Sequence, residues 1–188
     1  MARSGKNVRL YVTDDLMAAA MVVLGAAQAH YVGHVLRMEP GQVLHLFNGR
    51  DGEWFAVIDG LDRNHCSARI TDQVCEQAAG PEPWLLFAPV KRTALDFIAT
   101  KATELGAGLL WPVITENTSV RRVNTDRLCT HAIEAAEQCG RLTVPEVHEP
   151  APLARALEDW DEARRILLCN ESGGGAPLVE ALVAHGGH

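Results

Sequence analysis

The 188 residues suffice for one large domain or two modest ones, and a composition of 47% apolar and 22% charged residues excludes a disordered or collagen-like chain. A net charge of −7 argues against a general nucleic-acid coat. The start, Met1 to Asn7, has no apolar core behind its basic residues, and the longest apolar run, Met17 to Ala27, is too short and Ala-rich to span a bilayer; the sequence reads as a soluble, cytoplasmic protein without a membrane partner.

Residues 1–75 read as a small β-rich unit. Val8 to Val12 alternates like a strand, and Ala26 to Met38 is a predicted helix closed by Pro40-Gly41. Val43 to Phe47 and Trp54 to Ile58 flank Asn48-Gly49-Arg50-Asp51-Gly52, which is strong turn chemistry. Cys66 to Val74 is a further strand, and so many short strands suggest a compact barrel. Glu76 to Pro83, rich in Ala, Gly and Pro, reads as a linker.

Residues 84–188 change period. Trp84 to Ala88 is a short buried-type strand. Thr93 and Asp96 have the spacing of a capping box, opening a helix with Leu95, Ile98, Ala102 and Leu105 on its face and Gly106 at its end. Leu109 to Thr115 is the next strand, with Trp111-Pro112 pointing to a short or edge position. A helix beginning at Asn124 or Thr125 is expected to bury Leu128, Ala132, Ala135 and Cys139. Pro152 opens a third helix to Trp160, Ile166 to Cys169 is a third strand, and Pro177 opens a fourth helix. This alternation predicts a parallel α/β sheet.

The charge is patterned. Residues 1–50 carry +2, 51–83 carry −5, 84–127 carry +2 and 128–188 carry −6. A phosphate backbone belongs on the first or third block, although scattered surface charge routinely produces such an excess. Lys91-Arg92 stand beside a helix N-terminus, where free N–H groups favour an anion; they read either as a phosphate contact or as a solvated pair. Arg121 and Arg122, with Glu116, lie in a loop at the carboxyl end of a strand, where open α/β sheets form their ligand crevice, or else in a plain charged loop. Glu134, Glu137, Gln138 and Arg141 share one helix face, a spacing that a surface ion pair also explains.

Other features carry less. His30 and His34 are one turn apart without a third metal ligand in view. Gly173-Gly174-Gly175 lacks phosphate-loop spacing, which disfavours a nucleotide-using metabolic enzyme. Cys66, Cys75, Cys129, Cys139 and Cys169 are odd in number and have no metal or redox spacing, so they read as buried thiols in a reducing cytosol.

Several of these stretches together resemble one family. Val35-Leu36-Arg37-Met38, Pro40-Gly41-Gln42 and Leu46-Phe47-Asn48-Gly49 resemble the N-terminal RNA-binding domain of bacterial small-subunit ribosomal RNA uridine-N3 methyltransferases. Lys101-Ala102-Thr103-Glu104-Leu105-Gly106, Pro112, Thr115-Glu116, and above all Glu134-Ala135-Ala136-Glu137-Gln138-Cys139-Gly140-Arg141 with Val144-Pro145 extend the match, in order, to Glu171.

The resemblance implies a PUA-like β-barrel followed by a SPOUT-class α/β domain, S-adenosylmethionine as cofactor, and a homodimer built on a C-terminal trefoil knot. It implies small-subunit ribosomal RNA as substrate, with no metal. The N3 proton of a uridine is lost, and the nitrogen anion attacks the sulfonium methyl in line, helped by orientation and electrostatics. Arg37, Lys91, Lys101, Arg121 and Arg141 are then expected on RNA, joined by Arg9, Arg92 and Arg122 from the same basic blocks. Glu104, Glu116, Glu137 and Gln138 match positions expected to shape the site, and Cys169, Asn170 and Glu171 the first edge of the cofactor pocket.

The family's Gly-Pro-Glu-Gly-Gly and Leu-Arg-x-Glu-Thr-Ala stretches do not occur here. The expectation is therefore a truncated form whose catalytic base lies beyond residue 188 and which is inactive alone. A non-catalytic RNA-binding protein is the alternative.

Overall fold

The computed structural model describes residues 8–78, 80, 82–158, 160–170 and 173–184. It comprises two compact units, Met1–Leu153 and Ala154–His188.

The first unit contains two sheets. In the first sheet, β1 (Arg9–Tyr11), β2 (Met21–Leu24), β3 (Val43–Phe47), β4 (Glu53–Leu61) and β5 (Cys66–Cys75) run in the order β1-β3-β4-β5-β2. Only the β1–β3 pairing is parallel. Leu10, Val22, Leu44, Leu46, Ile58 and Ile70 fill its core, and alternation along the strands puts them on one side. The expected barrel is, among the described residues, a sheet whose hydrogen-bonded order ends on β1 and β2. β2 is an addition to the sequence reading: Val22 and Leu24 alternate inward within a run whose flanking alanines hide the period.

The predicted helix 26–38 is shorter and changes type. α1 (Ala26–His30) passes into a π-helical turn, Tyr31–Val35, in which Leu36 N–H reaches back five residues to Tyr31 O at 2.9 Å. Arg37 then turns the chain with φ 55°. In the predicted turn, the Asn48 carboxamide oxygen accepts the N–H groups of Arg50 and Asp51, each at 2.9 Å. Gly52 has φ 80°, and a Cβ there would lie 2.2 Å from Cys75 O. Only glycine permits that close approach of the β4 start to the β5 end.

The second sheet is parallel, as the alternation predicts. β7 (Leu109–Ile114) is central, with β6 (Trp84–Phe87) on one side and β8 (Glu146–Val147) and β9 (Ala151–Pro152) on the other. The edge position expected from Pro112 is therefore corrected. β8 pairs with Leu109 and Leu110 and β9 with Val113 and Ile114, so the residue without an N–H falls in the gap between them.

α2 (Arg92–Glu104) and α3 (Thr125–Cys139) pack on this sheet through Leu95, Ala99, Ala102, Leu110 and Leu128. Leu105 does not join that face. It is the C-cap residue, beyond the last helical position, and is 84% exposed. Cys139 is likewise exposed, and Ala136 takes the expected inward place. The capping box does not form, because Lys91 is the N-cap of α2 and its side chain caps nothing. Asp96 instead accepts two hydrogen bonds from Arg127 of α3, both 2.7 Å. Asn124 caps α3 by accepting Arg127 N–H, and Gly140 ends it with φ 80°.

α4 (Leu153–Ala156), which starts on the last residue of the first unit, replaces the longer helix expected up to Trp160, and in the second unit α5 (Leu178–Ala184) follows Pro177 as predicted. Ile166 to Cys169 is not a strand. Ile166, Leu167 and Leu168 are exposed and paired with no strand among the described residues, and a strand persists only on a hydrogen-bonding neighbour. β7 has taken its partners from residues 146–152 instead. Of the cysteines only Cys66 is buried; Cys75, Cys139 and Cys169 are exposed and Cys129 is half-buried.

Candidate nucleic-acid interface

The topology sorts the predicted site residues into groups. α2 follows β6 and α3 follows β7, so both helices start at the carboxyl ends of the parallel strands. Lys91 and Arg92 stand at the first start; Glu116, Arg121 and Arg122 occupy the loop before the second. All five side chains are exposed. The side chains of Lys91, Arg121 and Arg122 make neither a hydrogen bond nor an ion pair with any described residue, while the Lys91 carbonyl accepts the N–H groups of Ala94 and Leu95. The loop's first turn is stiff: Thr118 Oγ1 accepts Thr115 N–H at 2.9 Å, and Thr118 is buried. Below it, the paired Arg127 holds the Asp96 carboxyl under the ordinary carboxylate range and fixes α2 against α3. Two helix N-termini and four cations at one end of a sheet suit a polyanion.

Lys101, Glu104, Glu137, Gln138 and Arg141 belong to the other ends of the same helices. At 1.5 Å per residue these ends lie roughly 20 Å from the starts, too far for one small group to touch both. Lys101 and Glu104 pair with each other at 2.6 Å on the surface, and Gln138 is exposed. Glu137 accepts Tyr11 N–H at 3.0 Å. Burial, helped by neighbouring Glu134, pushes its carboxyl up, while the Tyr11 N–H and Arg9 pull the other way.

Two of the arginines expected on RNA turn inward. Arg141 Nη1 donates to Thr103 O at 2.9 Å and Ala107 O at 2.6 Å, which caps the C-terminus of α2. Arg9 donates four hydrogen bonds within the protein. Nε donates to Glu53 Oε2 at 2.9 Å, and Nη2 lies 2.8 Å from the same oxygen. Nη1 donates to Ala136 O and Glu137 O at 2.8 and 3.2 Å, and Nη2 to Arg141 O at 3.1 Å. Its guanidinium also lies 4.5 Å over the Phe47 ring. A side chain 9% exposed, with four N–H groups donating to protein acceptors and the fifth beside Glu53, is engaged within the protein.

The sequence reading missed Glu53 and His45 altogether. His45 Nδ1 lies 2.6 Å from Glu53 Oε1, and both residues are buried. Burial works to raise the Glu53 carboxyl, but hydrogen bonds from Arg9 and His45 hold it below its ordinary value. The available signal was two polar residues within otherwise apolar stretches of strand.

Arg37 is exposed in the first sheet's unit. Cys169 and Asn170 are exposed in the second unit, and Glu171 lies outside the described residues. His30 and His34 stack at 4.7 Å, and no three metal-ligating side chains cluster among the described residues. A cavity of about 210 Å³ opens beside Arg141, lined also by Glu82, Gly106, Leu142 and Thr143. It is smaller than the ~300 Å³ at which small-molecule sites usually begin.

A strand-rich N-terminal sheet docked on a parallel α/β layer, with exposed cations at the carboxyl end, defines an α/β protein with an anion-attracting face. Residues 80–185 match the family model described as an RNA methyltransferase domain, and residues 24–71 match that of an RNA methyltransferase PUA domain. The chain belongs to this RNA methyltransferase family.

Among similar proteins, the ribosomal RNA small subunit methyltransferase E of Rickettsia conorii is 34% identical over 145 residues, covering 77% of this chain and 59% of the relative. The protein of the same name from Synechocystis is 33% identical over 153 residues, covering 80% and 50%. A crystal structure of ribosomal RNA small subunit methyltransferase E from Neisseria gonorrhoeae, bound to S-adenosyl methionine, superposes with a TM-score of 0.75 at 27% identity. It covers 83% of this chain and 66% of that one. The chain thus spans between half and three fifths of the length of these two curated relatives. Among the described residues no helix is long and apolar enough to cross a membrane.

Proposed function

We propose that this protein serves in the S-adenosylmethionine-dependent methylation of N3 of a uridine in small-subunit ribosomal RNA. The observation that carries the reading is the ordered match of PUA and RNA methyltransferase models on one chain, with relatives named for that ribosomal activity. In this reading Lys91, Arg92, Arg121 and Arg122 hold RNA phosphates at the carboxyl end of the sheet, and Arg37 adds a contact from the first sheet. Lys101 lies farther along the same strand of RNA. Glu104, Glu116 and Gln138 shape the surroundings. Residues 1–75 and 84–188 act as two domains joined by 76–83, and the working form is a cytoplasmic homodimer built on a complete knot.

Cys169, Asn170 and Glu171 are proposed as one edge of the donor site. Cys169 and Asn170 are exposed, whereas small-ligand sites enclose about 70–90% of their ligand. The described residues therefore do not by themselves fit the donor, and no step is derived through it.

The test is calorimetric titration of S-adenosylmethionine into residues 1–188 and into the same chain extended through a complete knot, with methyl transfer to small-subunit RNA assayed for both. Donor binding and transfer are expected for the extended form alone. Tight donor binding by residues 1–188 would move the cofactor site. RNA binding without transfer in either form would establish the non-catalytic RNA-binding alternative.

A further inference from the structure

β1 is an edge strand: β3 pairs with one side of it, and its other side presents N–H groups to whatever lies alongside. The end of α3 lies there. Tyr11 N–H donates to Glu137, and Arg9, two residues earlier, donates to the carbonyls of Ala136, Glu137 and Arg141. α3 has no basic residue in its own last turn, so the cation that complements its negative end comes from the first sheet. Arg141, whose carbonyl Arg9 holds, in turn caps α2 through Thr103 O and Ala107 O. Glu53 anchors the other side of Arg9 within β4, and His45 of β3 braces Glu53. A continuous line of hydrogen bonds thus runs from the buried His45–Glu53 pair of the first sheet through both helix C-termini.

We propose that Arg9 is a positioning residue. It locks the N-terminal sheet onto the C-terminal ends of α2 and α3, so that cations on the two layers form one composite surface for a single RNA. The lock itself stands on the hydrogen bonds above; its consequence for RNA rests on the function proposed in the preceding section. Lysine cannot replace Arg9, because one ammonium offers three donors from a single point while the carbonyl and carboxylate acceptors surround a planar fork.

Hydrogen exchange on the full chain tests the lock without reference to activity. In Arg9→Lys, the Tyr11 amide and the last turn of α3 should exchange about tenfold faster or more, the factor set by losing a charge-assisted hydrogen bond. Amides of the β4–β5 ladder should keep their protection. An unchanged Tyr11 amide, or equal loosening of every element, would overturn the proposal. Glu137→Gln and Glu137→Ala give a second route should Arg9→Lys fail to fold. The glutamine keeps an acceptor for Tyr11 N–H and should preserve protection, and the alanine should lose it; identical behaviour of the two would also overturn the lock.

Binding to a small-subunit ribosomal RNA fragment tests the consequence. Arg37→Ala should weaken binding in the native background and add no further loss in Arg9→Lys, because the two layers are then already uncoupled. Equal losses in both backgrounds would refute positioning. No loss from Arg37→Ala in the native background would refute the RNA reading at that residue, while the exchange result would still decide the lock.

Discussion

Replacing Arg141 by alanine removes one guanidinium from the two carbonyls that end α2. Hydrogen bonds from a charged donor contribute about 1.5–3 kcal/mol each. Both bonds share Nη1 and Arg141 is only half-buried, so water can resolvate part of what is removed. Thr103, whose carbonyl accepts one of them, is 0% exposed, which limits that rescue. The expected loss is therefore about 2–3 kcal/mol, between one and two such bonds. At roughly 2–4 °C per kcal/mol for a chain of this size, the midpoint should fall by about 5–10 °C. Thermal and urea unfolding followed by circular dichroism would measure it, with Arg141→Lys expected to lie between the native protein and Arg141→Ala. A loss below about 0.5 kcal/mol, the range of an ordinary surface change, would refute a capping role.

Further outcomes follow from the same geometry. Gly52→Ala should destabilise by more than about 2 kcal/mol in urea unfolding, since its Cβ would meet Cys75 O at 2.2 Å and its φ is 80°. The native Glu53 carboxyl lies below its ordinary 4.5, so its stabilisation is present above that value and lost as pH falls through the native one; Glu53→Gln should flatten the acid limb of stability against pH. Glu137 has the opposite sign: its native value is raised, so its contribution is present below 4.5 and declines as pH rises through the native value, and Glu137→Gln should remove that decline. Arg121→Ala with Arg122→Ala should weaken RNA binding and lower the log–log salt slope by roughly 0.7–0.9 for each phosphate no longer neutralised, and unchanged affinity and slope would mark a merely solvated loop. Limited proteolysis should nick between Glu76 and Pro83, yet the fragments should co-elute, held by Arg9 and Glu137; separation in native buffer would mean that these bonds do not hold the layers together.

Local chemistry carried much of this structure. Strong turn residues set Asn48 to Gly52, the 3.6-residue period set α2 and α3, and Asn124 and Gly140 mark the two ends of α3 with the residue types that such ends require. The exposed cations Lys91, Arg121 and Arg122 were legible as well, because a helix start or a loop after a parallel strand is local information. What escaped was everything set by a distant partner. Nothing near Pro112 in sequence reveals that β8 and β9 approach β7 on either side of it. Ile166 to Cys169 has the composition of a strand but no neighbour to pair with among the described residues.

The arginines mark the same division most sharply. Arg9 and Arg121 are the same chemical group in blocks of the same net charge, and sequence alone placed both on RNA. Their fates differ because Arg9 meets Glu53 at a separation of 44 residues and the carbonyls of Ala136, Glu137 and Arg141 at 127 to 132, whereas the Arg121 side chain has no hydrogen bond or ion pair with a described residue. Sequence thus determined the family and the elements whose signals are local, such as α2, α3 and the Asn48 turn. Only tertiary structure decided which charges are spent inside the protein, because the donors of a rigid fork are met by acceptors that the fold, and not the local chain, brings around them.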